Sequence, residues 1–370
     1  MAGWRNVSTR TAVWGLSVAV VVLTAACSTS STSSSDTSGS GAATTAKQAS
    51  TVTLLTHDSF AVSDAVLAEF TKRTGITVKV VTGGDAGAMV AGAILAAGSP
   101  TADAMFGVDN TLISKAKSAN VFEKYTSPEL ANVTAAIASD TSDGFVTPVD
   151  YGDVCVNIDD AYFGKAGIPA PKTLDDLASP TYKDMLVVED PGTSSPGLAF
   201  LLATIARYGD GWQDYWKHLD ANGVKVAGSW TDAYTGAFTA GGGQGDRPLV
   251  VSYATSPPAE IVYASDPKPT KPTTSVMTDG CYRQVEYAGV LAGAANPEGA
   301  KKVVDWLLSE PVQADVPLSM FVFPARTGIT PPEVFTKFAA RVDKPLQLDP
   351  KQVADNVSTW LNDWGTVMNR

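Results

Sequence analysis

Residues able to hold a small molecule recur at the ends of expected strands and in the loops that follow them. Phe60, Tyr151, Trp230, Tyr234, Tyr253 and Phe321 present flat faces. A cation over such a face gains about 0.5–2 kcal/mol, and planar rings stack on it. Taken singly, each is more simply a core aromatic. Asp58, Asp109 and Asp150 supply carboxylates that could offset a positive charge or accept from an amino group. The competing role for an aspartate at a strand end is to cap a helix. The loop Gly192-Thr193-Ser194-Ser195-Pro196-Gly197 precedes an expected helix beginning near Leu198. Free backbone N–H groups at a helix start, beside hydroxyls and glycines, suit a phosphate or a hydroxyl group. The same residues also make an ordinary turn with a serine cap.

Catalytic chemistry is poorly provided for. The chain has two histidines, His57 and His218, and no Gly-x-Ser-x-Gly elbow, so a secreted hydrolase is only a distant rival reading. Two separated histidines without clustered Cys or Glu offer no metal-ligand spacing. The glycine-rich loop lacks the Gly-Lys-Ser/Thr ending of a nucleotide loop. These features point to a binding protein, not an enzyme, with no cofactor.

The elements that must position these residues follow an alternating pattern. Short apolar runs at 51–55, 76–81 and 104–108, the first two rich in β-branched residues, are separated by helical spacing at 63–74 and 87–97. Ser63 is the expected cap of the first helix and Gly75 its stop. Such β-α-β succession predicts parallel strands, with ligands gathering beyond their carboxyl ends. His57-Asp58-Ser59-Phe60 and Asp109-Asn110 stand in that position. The pattern restarts after Val154, with strands at 185–188, 224–227 and 249–252 and helices at 198–208 and 213–219. A further strand is expected over 282–291, and closing helices around 297–309 and 354–368. The fold class is therefore α/β, with two lobes because about 320 residues exceed a typical single core.

The start of the chain reads differently. Arg5 and Arg10 precede an apolar stretch, Ala12 to Ala26, that ends in small residues before Cys27, so 1–26 reads as an export signal. Leu23-Thr24-Ala25-Ala26-Cys27 resembles a bacterial lipoprotein cleavage box, in which the cysteine is acylated; ordinary cleavage would leave Cys27 unmodified. Residues 28–50 are almost entirely Ser, Thr, Ala and Gly, the composition of a flexible tether. A net charge of −11 argues against nucleic acid and anionic membrane surfaces as partners. With Cys27 set aside, Cys155 and Cys281 remain, and export makes them one disulfide or two buried thiols.

Several stretches in one order carry a resemblance: His57-Asp58-Ser59-Phe60, Gly107-Val108-Asp109-Asn110, Pro148-Val149-Asp150-Tyr151-Gly152, Asp190 to Leu198, Trp230-Thr231-Asp232-Ala233-Tyr234, and Ser252-Tyr253-Ala254-Thr255-Ser256-Pro257. From about Thr51 to Trp364 the chain resembles the thiamine-binding proteins of bacterial ABC importers, within the extracellular solute-binding proteins. The resemblance implies a two-lobed periplasmic-binding-protein fold of type II with the ligand cleft between hinged lobes. Lobe one would be 51–149 plus about 287–370, and lobe two about 150–286. Crossovers near Asp150-Tyr151 and Tyr282 to Glu286 would put Cys155 and Cys281 on neighbouring segments.

It also implies thiamine or its phosphate esters as ligand, and permease and ATPase subunits of an importer as partners. The protein would be a monomer on the outer face of the cytoplasmic membrane, held by its lipid. The implied contacts are His57, Asp58, Phe60, Asp109, Asn110, Asp150, Tyr151, Thr193, Ser194, Ser195, Trp230, Tyr234, Tyr253, Ser256 and Phe321. His57 and Phe321 depart from the family's larger or phenolic aromatics. A polyamine or another cationic heterocycle is the nearest alternative ligand; iron capture is disfavoured because no Tyr-Tyr pair is present.

Overall fold

A computed structural model describes residues 51–138 and 141–370. The export signal, Cys27 and the tether lie outside the described residues. The described residues belong to one compact unit, and no helix among them is long and apolar enough to cross a membrane.

Nine strands make one sheet: β1 (Thr51–Thr56), β2 (Thr77–Thr82), β3 (Ala104–Asp109), β4 (Thr147–Asp159), β5 (Leu186–Glu189), β6 (Lys225–Ala227), β7 (Leu249–Tyr253), β8 (Thr274–Val290) and β9 (Phe323–Pro324). Their order is β2-β1-β3-β8-β4-β7-β5-β6, with β9 on β4. β1 pairs in parallel with β2 and β3, and β5 with β6 and β7. These are the parallel wings that the alternating pattern predicts. Between them, β4 and β8 run antiparallel over 13 and 17 residues, long enough to pass from one wing into the other.

The first wing buries Val52 and Leu54 of β1 with Phe70, Phe106 and Trp306. Phe70 comes from the helix Asp64–Thr74, which Gly75 ends in the left-handed conformation at φ 72°. Ser63 holds the cap position, as expected, though without a side-chain bond; its backbone N–H donates to Asp315 at 2.8 Å. The second wing rests on the helix Ser195–Tyr208, buried along most of its length. The helices Trp212–Ala221 and Pro350–Val367 cover it, with Trp216 edge-on to Trp364 at 5.6 Å.

Two elements escape the sequence pattern. Pro148, Gly152 and three aspartates interrupt the apolar run of β4, and β8 begins at Thr274, well before Tyr282. Where β4 and β8 slip register between Val154 and Val156, Cys155 and Cys281 are joined as a disulfide. Both are buried against Ala254, Val276, Ala340 and Val342.

Candidate functional site

Register brings the acidic residues together. Glu286 of β8 pairs laterally with Asp109 of β3 on one side and Asp150 of β4 on the other. Residues in lateral register share a face of the sheet, so three buried carboxyls stand in a row where the wings meet. His57, just past β1, brings Nε2 to 3.4 Å from Glu286, an ion-pair distance without hydrogen-bond alignment. Its Nδ1 accepts from the Ser59 N–H at 3.2 Å, so in the neutral ring the proton sits on Nε2, facing Glu286. Gly107 makes the approach possible: it has φ +98°, and a Cβ there would collide with the imidazole.

Electrostatics divide the row. Burial pushes Asp150 well above the usual carboxylate range, and the neighbouring Glu286 charge adds to this. Glu286 itself is lowered: burial opposes its ionisation, but His57 and the Asp150 carboxyl outweigh burial. Burial pulls His57 down, yet Glu286, Asp85 and Asp58 together raise it. The row therefore holds its charge on Glu286, balanced by His57, with the proton on Asp150.

Asp109 is tied to both wings. Its Oδ1 accepts from Thr111 N at 2.9 Å, Thr111 Oγ1 at 2.6 Å and Leu112 N at 3.0 Å, and its Oδ2 accepts from the Ser195 hydroxyl. One carboxyl thus closes the turn at 111–112 and also reaches the helix start of the second wing. Burial raises it to about 6 despite these donors. A carboxyl raised in the folded state adds stability below its unfolded value that is lost as pH rises through about 6. Asp109→Asn should therefore be more stable than the native chain at pH 7.5, by on the order of 2–3 kcal/mol, with the gap closing near pH 4. Thermal unfolding without ligand across that range measures it; a gap that does not depend on pH would refute the ionisation.

The aromatic half of the site comes from the second wing. Trp230 stacks on Tyr234 at 4.9 Å and 14°; Tyr234 lies in a π-helical turn, Asp232–Ala237, a conformation frequent at functional sites. The Trp230 indole donates to Ser252 Oγ at 2.9 Å, and Ser252 meets Ser256 at 3.0 Å. The main-chain N–H of Trp230 donates to Asp85 Oδ2 at 2.8 Å. Asp85 also caps the helix Ala86–Leu95 of the first wing, and Ala88 N–H donates to Thr193 O at 3.1 Å. Asp85–Trp230, Ala88–Thr193 and Asp109–Ser195 thus bridge the wings.

The other expected contacts divide. Tyr253 accepts from Gln284 at 3.0 Å and packs its ring on Gly152, between the acidic row and the aromatic stack. Asp58 is exposed at the edge; burial of its carboxyl and the charge on Asp85 raise its pKa. Phe60 packs on Phe106 at 5.1 Å. Asn110 spends its side chain on β8, accepting from Val285 N and donating to Arg283 O. Tyr151 stacks on Phe323 at 5.3 Å, and Arg283 lies over its ring. Phe321 meets Tyr263 edge-on at 5.5 Å in a cluster with Phe323 and Phe335.

In the glycine-rich loop, Asp190 takes the N–H groups of Gly192, Thr193 and Ser194. These three donors are therefore not free for an anion, because the loop closes on its own aspartate. Thr193 Oγ1 donates to Gly228 O at 2.7 Å, the helix begins at Ser195 and not Leu198, and Ser194 Oγ is buried without a partner.

Asp85, Glu189, Ser252, Gln284 and Glu286 were not expected. Asp85 precedes a small-residue helix and carries a cap signature; Gln284 and Glu286 alternate with Val285 and Tyr287 along β8. Among the described residues, Thr56, His57, Asp150, Glu189, Ser194, Tyr234, Thr255 and Gln284 hold buried polar atoms without hydrogen-bond partners. Each such atom costs about 1–3 kcal/mol unless a ligand or water meets it. No group of His, Cys, Asp or Glu among the described residues is placed to hold a metal ion.

Comparison with known proteins gives the same site a context. The profile described as "Bacterial extracellular solute-binding protein" matches residues 99–343. A "Thiamine-binding periplasmic protein" of Salmonella typhimurium (strain LT2) is 28% identical over 323 residues, 86% of this chain and 94% of that one. The protein of the same description from Brucella suis biovar 1 is 29% identical over 334 residues, covering 89% and 95%. Among solved structures, a "Periplasmic thiamin binding protein" superposes with a TM-score of 0.75 at 26% identity, covering 86% of this chain and 96% of that one.

Proposed function

The chain belongs to the bacterial extracellular solute-binding proteins, and from that premise we propose that it captures thiamine or a thiamine phosphate and presents it to an ABC importer. The observation that carries this reading is the row of buried carboxyls at Asp109, Glu286 and Asp150, linked to the Trp230–Tyr234 stack through Ser252, which takes the indole N–H, and its neighbour Tyr253, which accepts from Gln284 of the same strand as Glu286. Asp109, raised only to about 6 and with no cation beside it among the described residues, favours a positive charge at neutral pH, and a stacked aromatic pair favours a flat ring. Thiamine joins an aminopyrimidine to a thiazolium with a fixed positive charge, so one molecule answers both. Ser194 Oγ, buried without a partner at a helix start, suits its hydroxyethyl arm or a phosphate there. Relatives described as thiamine-binding, at 28% and 29% identity over most of the chain, support the ligand.

In this reading 51–149 with about 287–338 forms one lobe, and 150–286 with the helix Pro350–Val367, which packs on Trp212–Ala221, forms the other, hinged on β4 and β8. The bridging bonds of Asp85, Ala88 and Asp109 belong to the closed state. Ligand must bind that state better than an open one, since equal affinity shifts nothing. Cys27 acylation would hold a monomer on the outer face of the membrane by the 28–50 tether; the small residues before Cys27 support it. Titrating the full chain in mild detergent with thiamine, its phosphates and putrescine, by tryptophan fluorescence and calorimetry, tests the ligand. Saturable submicromolar binding of a thiamine form is expected. Binding of putrescine alone would move the assignment to polyamines, and binding of neither would remove the ligand while leaving the fold.

A further inference from the structure

Glu189 ends β5, and it differs from the other buried acids of the site. It is fully buried, and neither carboxyl oxygen has a hydrogen-bond partner. Strand alternation fixes where it points. Val187 belongs to the cluster of Tyr234, Phe238 and Val250 with Trp230 packed against it, whereas Val188 belongs to the opposite face. Two residues on, Glu189 returns to the Trp230–Tyr234 face. β5 places Val187 beside Val250 of β7, and the same step along β7 leads to Ser252, the acceptor of the Trp230 indole N–H. Gly197 seats the following helix against this strand end, since a Cβ there would stand 2.6 Å from the Glu189 carbonyl oxygen.

We propose that Glu189 reads the amino edge of a 4-aminopyrimidine. Its carboxylic O–H donates to the ring nitrogen beside the amino-bearing carbon, and its C=O accepts from the amino group, giving two parallel hydrogen bonds next to Trp230. The inference rests on the thiamine reading and names which side chain selects the pyrimidine half. A neutral acid is needed, because a carboxylate has no proton for the ring nitrogen. Burial, reinforced by the charge of Asp85, pushes Glu189 well above the usual carboxylate range and leaves that proton in place. Asp109 is then left for the positive charge of the other ring, since Asp150 holds a proton and His57 balances Glu286.

Binding of thiamine and of its 4′-deamino analogue to the full chain and to Glu189→Gln and Glu189→Leu decides the matter. The native protein should bind the deamino analogue about tenfold more weakly, because the carboxyl C=O is then buried without its donor. Glu189→Gln keeps one donor and one acceptor in the same shape, so it should hold thiamine within about threefold and preserve that discrimination. Glu189→Leu should bind the two ligands within about threefold of each other. A folded Leu variant with undiminished discrimination overturns the proposal. If the Leu variant does not fold, the Gln variant still decides, since a loss of thiamine affinity beyond about tenfold would mean that an ionised carboxylate is required. Failure of the native protein to bind thiamine at all would remove the ligand reading, and this inference with it, through a different signal.

Discussion

Trp230→Ala should weaken thiamine binding more than tenfold while the chain stays folded. The indole stacks on Tyr234 and is held by Ser252, so it is a rigid face whose orientation costs little when ligand arrives. Losing a stacking and cation-binding face removes about 1.5–3 kcal/mol, which is ten- to a hundredfold in affinity. The fold should tolerate the change for three reasons. Trp230 is only partly buried, Ser252 keeps its bond to Ser256, and the main-chain bond to Asp85 needs no side chain at 230. Calorimetry and a thermal melt on the same sample separate the two effects. An unchanged dissociation constant would take Trp230 out of the site.

The double variant Cys155→Ala/Cys281→Ala should lose about 4–5 kcal/mol of stability and little affinity. The bond spans 126 residues, and closing so long a loop removes much of the unfolded chain's entropy. It is buried among small apolar side chains, so alanine leaves no unpaired polar group behind. No ligand-facing residue touches it directly in that cluster, which is why binding should survive. Denaturant unfolding with and without reductant gives the stability. A thiol assay on denatured, unreduced protein should find neither cysteine reactive, and two reactive thiols would refute the bond.

Much of the framework was legible before any coordinates. β1, β2 and β7 announce themselves as β-branched runs and β3 as a short apolar run, and the helices between them show 3.6-residue spacing. Gly75 stops its helix for the reason expected: it can adopt a left-handed conformation without steric cost. β4 did not announce itself. Its Pro148, Gly152 and aspartates belong to a strand buried where the wings cross. Asp109, Asp150, Trp230 and Tyr234 stand in the motifs that carry the resemblance, whereas Asp85, Glu189 and Glu286 stand outside them.

By itself, the amino-acid sequence determined the α/β class, the parallel wings, the cysteine pair and the aromatic and acidic residue types suited to a cationic ring. These follow from local periodicity and composition, which act over a few residues. Only the tertiary structure decided that Asp109, Glu286 and Asp150 stand in one row, that Asp85 ties the wings through Trp230, and that Asn110 and the donors of the 192–194 loop are already spent. Such facts depend on strand register between segments more than a hundred residues apart, as in Asp150 against Glu286. A shift of one residue in that pairing would turn every side chain to the other face, and nothing in the local sequence encodes it.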